Sequence, residues 1–183
     1  MSANPGSFRF HGGMHLEDHK QESLTGGIQV ASLSEEIVLR VTQHIGEPNT
    51  PLVKIGDWVK KGQLIADSKE AVSAPVHAPC SGIIVAIEDR PIAHPSGQQD
   101  TCIILQPYSQ DEKLDSKPVS REQLSREESL NLIRSAGIVG LGGAVFPTSA
   151  KLVTANSQQI KTLIINGAEC EPYITCDDAL MQD

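Results

Sequence analysis

The 183-residue chain has no apolar run approaching the eighteen or so residues that a membrane-spanning helix requires. Its opening, Met1-Ser-Ala-Asn-Pro-Gly-Ser-Phe-Arg-Phe10, lacks both a basic and an apolar segment, so no secretory signal is read there. Basic residues are few and scattered: 15 Lys and Arg against 23 Asp and Glu leave a net charge of −8. Such a surface repels phosphate backbones and argues against nucleic acid as a partner. An anionic ligand would need local backbone donors instead. Cysteine is also sparse. Cys80, Cys102, Cys170 and Cys176 fit no zinc spacing, and the C-x2-C-x2-C-x3-C-P run of a ferredoxin-type cluster is missing. Without an export signal, four reduced thiols are expected, and no metal is assigned to any residue.

What is present divides into four stretches. Residues 1–36 are an N-terminal extension, rich in Gly and His, expected to pack on the unit that follows. His11, His15 and His19 recur at helical spacing, but Gly12 and Gly13 oppose a helix there. Residues 37–106 read as short strands punctuated by Gly, Pro, Asp or Asn: Ile37–Val41, Pro51–Ile55, Gln63–Ala66, Gly82–Ile87 and Cys102–Leu105. Gly56-Asp57, Gly62 and Ser81-Gly82 supply turns. Strands this short favour a small barrel or sandwich. Residues 107–120 are polar and proline-bounded, and read as a linker. Residues 121–183 begin with a capping box, Ser125-x-x-Glu128. A helix from about Arg126 to Ala136 is expected to stop at Gly137, with Leu130, Ile133 and Ala136 on one face.

The chemistry is concentrated after that helix, in Gly140-Leu-Gly-Gly-Ala-Val-Phe-Pro-Thr-Ser-Ala-Lys151. Gly140, Gly142 and Gly143 let backbone approach a flat or phosphorylated ligand without Cβ collisions. Pro147-Thr148 sets up a helix start, with Lys151 one turn in. Phe146 offers an aromatic face for an adenine or isoalloxazine ring. Backbone donors, helix start and lysine together suit a phosphate or pyrophosphate. The loop follows a helix, so it is not a Rossmann fingerprint, and it lacks the Gly-Lys-Ser/Thr ending of a Walker loop. Ile160–Ile165 reads as a buried strand running into Asn166-Gly-Ala-Glu-Cys-Glu-Pro-Tyr173. Ligands of open α/β sheets sit beyond such strand ends, and Asn166, Glu169 and Glu171 can accept from ribose or ribityl hydroxyls or a flavin N–H.

Two resemblances rest on these residues. Val53-Lys-Ile-Gly-Asp-Trp-Val-Lys-Lys-Gly-Gln-Leu-Ile-Ala66, with Ala78-Pro-Cys-Ser-Gly-Ile-Ile84, resembles the biotinyl/lipoyl-carrier fold. Lys69 falls about three residues early for a modified lysine and lacks its flanking signature, so an unmodified scaffold is expected. The glycine loop and Leu163–Asp178, with Phe10-His-Gly-Gly-Met-His15, resemble the RnfC-type component of the Rnf/Rsx electron-transport complexes, which are ion-translocating ferredoxin:NAD oxidoreductases. More distantly, residues 121–183 are similar to the flavin-carrying, NADH-binding subunit of respiratory complex I. There the loop reads Gly-Arg-Gly-Gly-Ala-Gly-Phe-Pro-Thr-Gly-x-Lys and is followed by Asn-Ala-Asp-Glu-x-Glu-Pro.

The resemblance implies an α+β chain: a β-barrel-sandwich hybrid followed by the start of an α/β flavin- and dinucleotide-binding domain. It implies that Gly140, Gly142, Lys151, Asn166 and Glu169 contact FMN and that Phe146 and Glu171 face NAD(H), with Gly143 in the same loop. Leu141 replaces the Arg, Val145 and Ser149 replace glycines, Ala168 replaces the Asp, and Cys176 stands where a Lys is usual. The family's proteins extend further, with more α/β domain and a region carrying two [4Fe–4S] clusters, so half the flavin pocket and no cluster ligand are expected in this stretch. The implied setting is peripheral, on the cytoplasmic face of the bacterial inner membrane, among the other subunits of the complex. The other reading is a non-catalytic docking scaffold whose α/β piece holds no cofactor.

Overall fold

The computed structural model describes residues 16–93, 96–112, 114–115, 118–141, 143–154, 160–162, 164 and 166–182. In chain order the elements are α1 (Lys20–Ser23), β1 (Ile37–Arg40), β2 (Thr50–Pro51), β3 (Trp58–Val59), β4 (Leu64–Asp67), β5 (Val76–His77), β6 (Gly82–Pro91), β7 (Gln99–Pro107), α2 (Arg126–Ser135), α3 (Thr148–Thr154) and α4 (Cys176–Gln182). They fall into two compact units. One is Leu33–Lys161; the other joins Met1–Ser32 to Thr162–Asp183.

The larger unit is built on two antiparallel sheets, β1-β7-β6-β3 and β2-β4-β5. β7 is central. Its Cys102, Ile103, Ile104 and Leu105 are all fully buried, and it is paired on both edges, by β1 and by β6. Successive strand residues point to opposite faces, so an unbroken buried run means that both faces are covered. Ile103 and Leu105 join Val59, Ile65, Ile84 and Val76 in the core. Gly56 (φ 93°) and Gly62 (φ 83°) take the left-handed backbone that tight turns need. Gly82 has a different role. It opens β6 rather than a turn, and a Cβ there would meet the Gln106 carbonyl oxygen at 2.2 Å.

The same core separates the thiols. Cys80 and Cys102 are 2% and 0% exposed, while Cys170 and Cys176 are exposed. Burial pushes both inner thiols above the ordinary 9.0, with Asp111 adding to the effect at Cys80 and Asp100 at Cys102. Thiolate is the reactive form. Iodoacetamide at mildly alkaline pH is therefore expected to label Cys170 and Cys176 in the native chain and all four cysteines in denaturant. Intact mass reads the difference, and four native adducts would contradict the burial.

The segment read as a linker is anchored to the barrel at its start. Tyr108 N donates to Ser81 O, Glu112 N donates to Ser81 Oγ, and Lys61 Nζ lies 2.8 Å from the Asp111 carboxylate. Helix α2 begins as its sequence dictates. Ser125 Oγ accepts from Glu128 N, and Glu128 Oε2 accepts from Ser125 N at 2.8 Å. Those bonds hold the Glu128 carboxyl below the ordinary 4.5. The helix ends in a Schellman motif: Gly137 N donates to Arg134 O, Ile138 N donates to Ile133 O, and Gly137 has φ 70°. A Cβ on Gly137 would lie 2.9 Å from Pro75 O, so the glycine also permits α2 to end against the barrel.

Arg134 completes that junction. Its Nη2 donates to Asp67 Oδ1 and Ser73 Oγ, both at 2.9 Å, and to Ser68 O. The 68–73 loop is where a carrier domain would present its lysine. A swinging arm needs a projecting tip, whereas here the loop is tied to a helix and only Lys69 and its neighbours Glu70 to Val72 face outward.

Two expected strands differ. The one over Pro51–Ile55 is reduced to Thr50–Pro51, because Lys54 N donates to Asp57 Oδ2 and Asp57 N to Lys54 O, which folds the chain into the turn at Gly56. The buried strand expected over Ile160–Ile165 is not formed at its described residues: Ile160 and Ile164 are 57% and 84% exposed and lie outside any strand, while Leu163 and Ile165 fall outside the described residues. A strand of the parallel, buried kind exists only when neighbours pair with it and layers cover both faces. Every strand among the described residues belongs to the two barrel sheets, so this apolar run meets no partner among them.

Candidate functional site

The glycine loop forms a closed turn between α2 and α3. Val139 bridges Pro147, Gly140 N donates to Phe146 O at 2.9 Å, and Thr148 N donates to Ile138 O at 3.1 Å. Pro147 is fully buried and starts α3, so the chain leaves the turn directly into a helix. Gly140, Phe146 and Lys151 are thereby gathered in one place. Lys151 Nζ sits 5.9 Å from the centre of the Phe146 ring, and a Cβ on Gly140 would lie 2.8 Å from that ammonium. The missing side chain at Gly140 thus makes room for the cation. Gly143 is at the exposed tip with open space around its Cα, and its amide and that of Ala144 have no protein acceptor among the described residues. Gly142 falls outside the described residues.

Two concavities adjoin the loop. One, about 390 Å³ and mainly apolar, is lined by Val72, Leu130, Arg134, Phe146, Ser149 and Val153. The other, about 300 Å³, lies between Gly143–Val145 and the barrel residues Arg40, His44 and Ile45. Val145 stands where the similar complex I loop carries glycine, and its φ is 43°. A β-branched residue in the left-handed region is strained, at a cost of about 1–3 kcal/mol. Val145→Gly is expected to raise stability by ~1 kcal/mol net of glycine's greater unfolded-state entropy. The midpoint of urea unfolding reads this, and an unchanged or lower midpoint would show that the turn carries no such strain.

The remaining residues lie in the smaller unit, on the irregular segment before α4. Asn166 Oδ1 accepts from Ala168 N at 3.0 Å, closing a local turn. Glu169 is half-buried, and its Oε1 accepts from Asp177 N at 2.7 Å at the start of α4. That bond accounts for the closeness of Glu169, Cys176 and Asp177, whose ligand atoms lie within 4.8 Å of one another. Glu171 is exposed. Tyr173 follows with φ 68°, turning the chain back toward α4. His19, the one member of the histidine series among the described residues, stacks on Tyr173; His11 and His15 fall outside them.

Two residues that sequence reasoning passed over matter here. Arg134 lies one turn on from Leu130, on the partly buried face of α2, and reaches the barrel. Lys20 Nζ donates to the carbonyls of Glu169, Glu171 and Ile174. Neither belongs to a motif, and both act across long sequence separations.

No helix among the described residues is long and apolar enough to cross a membrane. Residues 8–110 match the RnfC barrel sandwich hybrid domain, and residues 133–183 match the Nuo51 FMN-binding domain. The chain is 48% identical over 174 residues to the C component of the ion-translocating oxidoreductase complex of Vibrio cholerae, covering 94% of this chain and 22% of that protein. It is 44% identical over 170 residues to the C component of the proton-translocating ferredoxin:NAD(+) oxidoreductase complex of Clostridium ljungdahlii, covering 92% of this chain and 37% of that one. For the corresponding ion-translocating oxidoreductase component of Pasteurella multocida the identity is 46%, over 95% of this chain and 21% of the relative. The chain thus spans from about a fifth to little more than a third of their length. A two-sheet barrel with a capped helix and glycine turn behind it, matched over more than half the sequence, places this chain in the RnfC barrel sandwich hybrid family, with the beginning of a Nuo51-type FMN-binding domain after it.

Proposed function

We propose that this chain is the barrel and first flavin-binding part of a subunit that exchanges electrons between NAD(H) and iron–sulfur clusters within an ion-translocating membrane complex. The observation that carries this reading is that the closed turn brings Gly140 and Phe146 beside Lys151 of α3. A flat ring bearing a phosphate needs an aromatic face, a cation and backbone donors without side chains in the way. Phe146 supplies the face, Lys151 the charge, and Gly143 and Ala144 the amides, which have no acceptor among the described residues. The Gly140 amide is not among the donors, because it is already bonded to Phe146 O. Asn166, Glu169 and Glu171 are the acceptors for ribityl, ribose or ring N–H groups, and Glu169 uses one oxygen on Asp177 N.

FMN bound here would supply the chemistry that links two-electron hydride exchange with NAD(H) to single-electron exchange with iron–sulfur clusters. The residues of this chain hold, orient and charge-balance it. The two [4Fe–4S] clusters belong to a part of the protein beyond the matched stretch. The protein is peripheral, on the cytoplasmic face of the inner membrane, held there by the other subunits. Titrating FMN with the 183-residue chain tests the reading. Quenched flavin fluorescence with saturation supports it, and unchanged fluorescence at the highest protein concentration overturns it for this chain.

A docking scaffold is the second reading, and the exposure of Ile160 and Ile164 favours it. The described residues of the segment leading to Asn166 are not held in a sheet, while the barrel has an apolar core. An FMN-indifferent chain with an intact barrel is the outcome that selects it.

A further inference from the structure

We infer that Lys20 is a positioning residue for the carboxylate-bearing segment Glu169–Ile174, setting the shape in which Glu169 and Glu171 meet the cofactor. This rests on the flavin reading above. The segment has no helix or strand of its own, so its carbonyls find no ladder partners. Three of them converge on one cation: Glu169 O at 2.7 Å, Ile174 O at 2.8 Å and Glu171 O at 3.4 Å from Lys20 Nζ. An ammonium has three N–H donors and no acceptor, which matches three carbonyls around one point. A guanidinium presents a planar fork and does not.

The neighbours of Lys20 fix the same turn. Tyr173 N donates to Asp18 O at 2.8 Å, and the rings of His19 and Tyr173 stack at 4.8 Å with an interplanar angle of 5°. His19 (φ 50°) and Tyr173 (φ 68°) both hold left-handed backbone that is uncommon for non-glycine residues. His19 Nδ1 is in turn 2.7 Å from Glu22 Oε1. The turn carrying Glu169 and Glu171 is therefore shaped by residues about 150 positions earlier in the chain.

Two variants of the 183-residue chain test this, Lys20→Met, which keeps the stem and removes the charge, and Lys20→Arg, which keeps the charge but not the three-donor geometry. Amide hydrogen exchange by mass spectrometry and FMN fluorescence titration are read on both. Lys20→Met is expected to speed exchange across residues 166–176 at least tenfold, leave β6 and β7 unchanged, and weaken FMN binding at least tenfold. Lys20→Arg is expected to recover part of the exchange protection but not the FMN affinity, which a mere structural tie would restore. Unchanged exchange over 166–176 in Lys20→Met, or full FMN affinity in either variant, overturns the inference. If the unsubstituted chain binds no FMN, the flavin reading falls and the positioning role for cofactor falls with it; faster exchange in Lys20→Met then leaves Lys20 as a structural clasp only.

Discussion

Gly82→Ala is expected to destabilise the barrel by about 3 kcal/mol, enough to lower its melting temperature by roughly ten degrees. The added methyl would lie 2.2 Å from the Gln106 carbonyl oxygen and 2.9 Å from Leu105 Cδ1. Ordinary contact begins near 3.4 Å, so the two strands must part by more than an ångström where Gly82 faces Pro107 and Ile83 faces Gln106. The obstacle is backbone and cannot rotate away. β6 and β7 form the longest pairing among the described residues, and Leu105 is fully buried in the core, so the displacement loosens both ladder and packing. Strained packing costs about 1–3 kcal/mol, and each lost backbone bond adds about 1 kcal/mol. Thermal unfolding followed by circular dichroism measures it. A variant melting within two degrees of the unsubstituted chain would mean that the strands are not this close.

Lys151→Met is expected to weaken FMN binding by about tenfold to a hundredfold, the equivalent of the 1.5–3 kcal/mol carried by a hydrogen bond to a charged group. Lys151 is exposed, and methionine is a good helix former, so α3 should persist and the unfolding midpoint should change little. Gly140→Ala separates position from charge. Its methyl would meet the Lys151 ammonium at 2.8 Å, and that flexible tip can swing aside. Stability is again nearly unchanged, while the cation is displaced and FMN binding falls in the same direction. Fluorescence titration of riboflavin, which has no phosphate, is the control. If Lys151→Met weakens riboflavin as much as FMN, the lysine is not the phosphate partner.

How far these features were legible depends on the range of the physics involved. The strands of the barrel, the Ser125–Glu128 cap, the stop at Gly137 and the helix start at Pro147 are local, set by residues within one turn or one strand. Each is found where its residues indicate, except that the strand expected over Pro51–Ile55 ends at Pro51, because Lys54 and Asp57 close a turn on one another there. β3 and β5, only two residues each, escaped because Trp58-Val59 and Val76-His77 are too short to show alternation. Ser81-Gly82 looked like a turn because the glycine signal is the same for a turn and for a close approach of two strands. Ile160–Ile165 has the composition of a buried strand, but burial is a property of neighbours rather than of composition. The candidate site residues fall in the two units as separate groups, and what organises one of them, Lys20, carries no signal at all: a single lysine in a polar stretch. Departures from the complex I pattern were legible as letters, yet their consequence appears only in φ, at Val145.

The most direct test is to follow the backbone amides of the isotope-labelled 183-residue chain by NMR while FMN is added. Shifts are expected to change over 140–151, with Gly143 and Ala144 among the largest, and over 166–174, while the amides of β1, β6 and β7 stay where they are. Saturating FMN that moves no amide in the glycine turn, or moves only barrel strands, would contradict the proposed flavin site.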